Sequence, residues 1–95
     1  MNNVTAGFQV LPNGQDVDTN GMIPRIVEVV KESGLRYHVG PMETVVEGNI
    51  DEVFSLLKRT QELGIELGAS EVLTNIKIHY NPDGVSIEDK MTHVN

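Results

Sequence analysis

Four short β-patterned runs and two amphipathic runs, in the order β-α-β-β-α-β, predict an α+β domain. Its sheet has four antiparallel strands, with both helices on one face. Three observations carry this reading. Apolar residues alternate in the strands, recur at helical spacing between them, and are separated by Gly, Pro and Asn clusters. At 95 residues the chain makes one domain, residues 1–95, with a modest core.

Val4 to Leu11 is the first strand, with Ala6, Phe8 and Val10 on one face and Thr5, Gly7, Gln9 and Leu11 on the other. Pro12-Asn13-Gly14 reads as the turn that ends it. Ile23, Ile26, Val27 and Val30 then form the buried stripe of a helix. Pro24 belongs in a first turn, so this helix is expected to start near Met22 or Ile23. Gly34 stops it. Leu35 to Val39 and Met42 to Glu47 form a hairpin around Gly40-Pro41. Asn49 caps the second helix, with Asp51 and Glu52 in its first turn. Its inner stripe is Val53, Leu56, Leu57, Thr60, Gly64 and Leu67, and it ends at Gly68. Thr60 and Gly64 thin the stripe, which predicts close helix–sheet approach there. Val72 to Tyr80 is the last strand, and Ser86 opens a short terminal helix.

This order is the ferredoxin-like one, with expected strand order 4-1-3-2. One sheet face stays open. It carries Gln9, His38, Asn75, Lys77 and His79, with some of Glu43, Thr44 and Glu47. An open, semi-polar face of this kind meets a ligand or a partner subunit.

Composition narrows the chemistry. There is no cysteine, which excludes disulfides, thiolate metal sites and thiol catalysis. A net charge of −7 argues against nucleic acid and anionic membranes and is compatible with a cationic small molecule. No apolar run has the length of a membrane span, and Met1-Asn2-Asn3-Val4 does not begin a signal peptide, so a cytoplasmic location is expected. No cofactor is implied. RNA binding on this fold needs aromatics on the central strands, and the open-face positions there have none. Phosphate cradling after the first strand needs a cation, and Leu11 to Gly21 has two Asp and no Lys or Arg. Asp16-Val17-Asp18-Thr19-Asn20-Gly21 matches half a calcium loop, but Val27 stands where the closing Glu belongs. His38, His79 and His93 are too scattered to form a metal cluster.

Glu43 and Glu47 share a strand face, and Thr44 lies on the other. Residues four apart on a strand are roughly 13 Å apart, too far to share a proton. The two carboxylates therefore read as separate binding or capping groups. For Glu47 the structural alternative is to accept backbone N–H groups at the Gly48-Asn49 turn.

Ser33-Gly34-Leu35-Arg36-Tyr37, then Gly40-Pro41-Met42-Glu43-Thr44-Val45-Val46-Glu47-Gly48, then Asp51-Glu52-Val53, resembles the small thiamine-binding proteins. Their pattern is Ser-Gly-apolar-x-Tyr followed by Pro-Met-x-Thr-x-x-Glu-Gly. The resemblance covers nearly the whole chain. It implies homo-oligomers, dimers or tetramers, built by joining sheets. It also implies non-enzymatic binding of thiamine or its hydroxymethylpyrimidine half for salvage, transport or sensing. Thr44 and Glu47 carry over from the motif, Gln9 and Asn75 come from the open face, and Glu43 is this chain's own. The fixed thiazolium charge and the aminopyrimidine suit carboxylate and amide side chains. Two other functions compete with this one. One is a homo-oligomeric interaction module with no small-molecule ligand. The other is an enzyme acting on a pyrimidine or thiazole compound, with Glu43 or Glu47 as base.

Overall fold

The computed structural model describes residues 2–14 and 19–92, with Thr19 and Asn20 described by backbone alone. The elements are β1 (Val4–Asn13), α1 (Thr19–Glu32), β2 (Arg36–Val39), β3 (Thr44–Gly48), α2 (Ile50–Glu66), β4 (Glu71–Tyr80) and α3 (Ile87–Met91). The strands form one sheet in the order β2-β3-β1-β4, every neighbouring pair antiparallel. This is the ferredoxin-like order expected from the sequence.

The covered face follows the alternation. Val4, Ala6, Phe8 and Val10 of β1 and Val46 of β3 are buried with Ile26 and Val30 of α1 and Val53, Leu56, Leu57 and Leu63 of α2. The Asn49 cap of α2 is a full capping box: its side chain accepts the Glu52 N–H at 2.9 Å, and Glu52 reaches back to the Asn49 N–H. Gly68, at φ +112°, ends the helix as expected. Close approach at Gly64 is also observed: an added Cβ would lie 2.8 Å from Val72 Cγ2. Thr60 is fully buried, its hydroxyl donating to the Leu57 carbonyl at 2.8 Å.

Three expectations are corrected. β1 does not turn at Pro12 but runs to Asn13, paired with Val72 and Glu71 of β4. Proline is tolerated there because β3 pairing ends at Phe8, so that side of β1 is an edge. Next, α1 begins at Thr19, which puts Pro24 in the second turn, where its missing N–H forfeits one helical hydrogen bond. Its buried stripe is Met22, Ile26 and Val30, and Ile23 is exposed. The four-residue spacing of Met22, Ile26 and Val30 turns Ile23 away from the core. The calcium-like half-motif from Asp16 and the His93 position lie wholly or largely outside the described residues.

Candidate functional site

The open face is organised in rows across the sheet. One row reads His79, Thr5, Glu47, Arg36; the next reads Lys77, Gly7, Val45, His38; beyond it Asn75 faces Gln9. Residues opposite each other in such rows lie about 5 Å apart, close enough to contact one ligand.

The first row is roofed by α3. Its Ser86 cap accepts the Asp89 N–H at 3.0 Å. Beneath it Glu47 and Thr5 are buried. Glu47 Oε1 accepts the Ile87 N–H at 2.8 Å, and Oε2 accepts from Asn2 Nδ2 at 2.6 Å. The Ile87 N–H is one of the donors a helix start leaves without an internal partner, and a carboxylate is a fitting acceptor for it. Glu47 thus ties α3 and the N-terminus to β3. It does so through Ile87, not through the Gly48-Asn49 turn. An exposed Arg36–Glu88 contact at 3.9 Å and a Lys90 Nζ to His79 Nδ1 contact at 2.6 Å complete the roof.

Glu43 differs. It is exposed, and its carboxylate lies over Gly7: an added Cβ there would meet Oε2 at 2.8 Å. The missing side chain of Gly7 is what lets the carboxylate rest on the sheet. Glu43 is shared by two cavities. One, about 140 Å3 on the open face, is lined by Thr5, Gly7, Glu43, Val45, Lys77, His79 and Lys90. The other, about 220 Å3, fills the corner where β1 runs on past the end of β3. Gln9, Glu43 and Thr44 are its polar lining, and Phe8, Ile23, Ile26, Val39 and Met42 supply much of its apolar wall.

The structure therefore brings Gln9, Glu43 and Asn75 to one part of the open face. Gln9 and Glu43 meet Thr44 at the corner cavity, although Thr44 lies on the helix side of the sheet with Phe8. Glu47 stands apart, under α3. A larger groove of about 560 Å3 lies between the end of α1, the Ser33–Leu35 connection and α2. Half of its six polar lining residues already have partners: Glu52 in the cap, Arg59 with Glu66, and Ser33 on the Val30 carbonyl. The corner, where the Gln9, Glu43 and Thr44 side chains have no partner among the described residues and meet an apolar wall, better fits a ligand site. The sequence reading missed Gly7 and Lys90. A glycine inside a strand signals close approach of another group, so Gly7 was detectable. Lys90 reaches the face only through the packing of α3.

Among the described residues no three of His, Asp and Glu are placed to hold a metal, and no helix is long and apolar enough to cross a membrane.

Fold and site together define a ferredoxin-like domain with an uncovered polar sheet face and a ring-sized corner cavity. The profile described as thiamine-binding protein matches residues 6–95, and the chain belongs to that family. It is 34% identical to a UPF0045 protein of Clostridium perfringens over 96% of each chain. A Bacillus cereus structure of a domain of unknown function, DUF77, superposes with a TM-score of 0.91 at 42% identity, covering 97% of this chain and 89% of that one. A Thermotoga maritima structure, described as a candidate thiamine biosynthesis/salvage protein, superposes with a TM-score of 0.83 at 29% identity, covering 94% of this chain and 95% of that one.

Proposed function

We propose that this protein is a non-enzymatic, cytoplasmic binder of thiamine or its hydroxymethylpyrimidine moiety, acting in salvage, transport or sensing. The observation that carries the reading is the convergence of Gln9, Glu43 and Thr44 on one apolar-walled cavity in a member of the thiamine-binding family. At about 220 Å3 the corner is smaller than the roughly 300–1,000 Å3 that holds a drug-sized ligand, and it suits a single ring. The aminopyrimidine enters it, with the Gln9 amide and the Thr44 hydroxyl meeting ring nitrogens and the amino group. The thiazolium stays on the open face, where Glu43 over Gly7 is its counter-charge and Asn75 borders it.

Binding belongs to a homo-oligomer. The outer edge of β4 is ten residues long and unpaired in the sheet. Its helix-side residues Ile76, Ile78 and Tyr80 are exposed, and Ile76 shares a shallow surface with the exposed Phe54 of α2. An unpaired edge with apolar flanks is a template for another strand. A two-fold pair centred on Ile76 sets Thr74 against Ile78 and Val72 against Tyr80, and keeps Lys77 from facing itself. This pairing leaves the open face free for ligand.

Titration calorimetry with thiamine and with hydroxymethylpyrimidine tests the reading. Gln9→Ala and Glu43→Gln are expected to weaken binding at least tenfold while the fold persists. Equal affinity in both variants would remove the site. Turnover of either compound in a mass-spectrometric time course would move the protein to the enzymes.

A further inference from the structure

We propose that the open-face cavity beside Glu43 is a phosphoryl subsite, so that the site prefers a phosphate monoester of its heterocyclic ligand to the free alcohol. The inference rests on the ligand reading above and extends it to the substituent at the far end of the ligand. The 140 Å3 cavity gathers Lys77 from β4, Lys90 from α3 and His79 between them. In a chain of net charge −7, two lysines on one small cavity run against the overall field. The arginines are otherwise engaged, in Arg25–Glu28, Arg36–Glu88 and Arg59–Glu66 pairs. Lys77 has no ion-pair or hydrogen-bond partner among the described residues.

Lys90 Nζ lies 2.6 Å from His79 Nδ1. The contact sets a lysine amine beside an imidazole at the mouth of one small cavity, and both are side chains that donate to phosphate oxygens. Thr5 lines the same space. The cavity thus collects charge-assisted donors of the kind that hold phosphate oxygens.

One lining group opposes an anion. The Glu43 carboxylate lies over Gly7, on the side of the cavity toward β3 and the corner. Lys77 stands opposite Gly7 on the β4 side. The cavity is therefore polarised across the sheet, anionic at Glu43 and cationic at Lys77 and Lys90. A ligand with a cationic ring followed by a phosphoryl group matches both ends in order. Asp89, the nearby acid of α3, lines a separate shallow cavity on the Ser86 side of His79 and Lys90.

The test compares thiamine, thiamine monophosphate and inorganic phosphate by titration calorimetry at one salt concentration. The wild-type protein is set against Lys77→Met and against Lys77→Met with Lys90→Met. The single variant alters a side chain with no partner in the fold, so it serves even where the double variant fails to fold. The expected result is at least tenfold tighter binding of the monophosphate than of thiamine, with that ratio falling toward one in the variants. Two bound ligands of equal affinity in the wild type would overturn the subsite and leave the thiamine reading standing. Lysine-dependent binding of inorganic phosphate without thiamine binding would uphold the subsite and sink the thiamine reading. No binding of any probe at millimolar concentration would overturn both.

Discussion

Glu43 and Glu47 belong to one motif and one sheet face, yet the structure gives them opposite situations. Glu47 is 7% exposed, and both its oxygens are occupied, by the Ile87 N–H and the Asn2 amide. Glu43 is exposed, lies on a glycine and borders two cavities. The difference is made by α3, which roofs one end of the open face and leaves the other bare. A polar residue in a motif thus points to a ligand only where no other part of the chain has already taken its hydrogen-bonding capacity.

The comparison yields predictions of decreasing size. Glu47→Ala leaves the Ile87 N–H and the Asn2 amide without their acceptor, and is expected to cost about 2–4 kcal/mol. At roughly 4–8 °C per kcal/mol this is a large fall in melting temperature, measurable by calorimetry. Glu43→Ala should leave the melting temperature within a few degrees and reduce thiamine affinity at least tenfold. A reversal of these two phenotypes would break the comparison.

Gly64→Ala and Gly7→Ala sharpen it, because each added Cβ meets an atom at 2.8 Å. At Gly64 that atom belongs to Val72, a short side chain packed against the core, which has little room to yield. The clash is expected to outweigh the gain in helix propensity, for a net loss of about 1 kcal/mol in chemical denaturation. At Gly7 it is the end of the flexible Glu43 side chain, so stability should hardly move while ligand affinity falls several-fold. Ile76→Lys tests the β4 edge: light scattering should show the oligomer dissociating into folded monomers. The smallest effect is expected for Thr44→Val, a fewfold loss of pyrimidine affinity from one hydrogen bond in the corner.

Much of the fold was legible because its signals are local. The alternation Ala6-Phe8-Val10 and the stripe Val53-Leu56-Leu57-Thr60 carry their burial in their spacing. The start of α1 is not legible, because Pro24 favours a first turn while the helix tolerates one lost hydrogen bond in its second. The site was only half legible. Strand parity placed Gln9 and Asn75 on the open face and Glu43 with Glu47 on one face, whereas the register that sets Gln9 opposite Asn75 appears only in the structure. The corner cavity exists because β3 stops opposite Phe8 while β4 follows β1 to Asn13, a mismatch of partners distant in sequence. The fate of Glu47 was set 40 residues downstream, at Ile87.

The most direct test of the central claim is thermal unfolding of the wild-type, Glu43→Gln and Glu47→Gln proteins with and without thiamine. A ligand at 100 times its dissociation constant stabilises by about 2.7 kcal/mol, which is about 10 °C or more for a domain of this size. The expected result is such a shift in the wild type, its loss in Glu43→Gln, and a lowered starting temperature with the shift retained in Glu47→Gln. A full shift in Glu43→Gln, or no wild-type shift at millimolar thiamine, would contradict the assignment of the uncovered end of the face as the binding site.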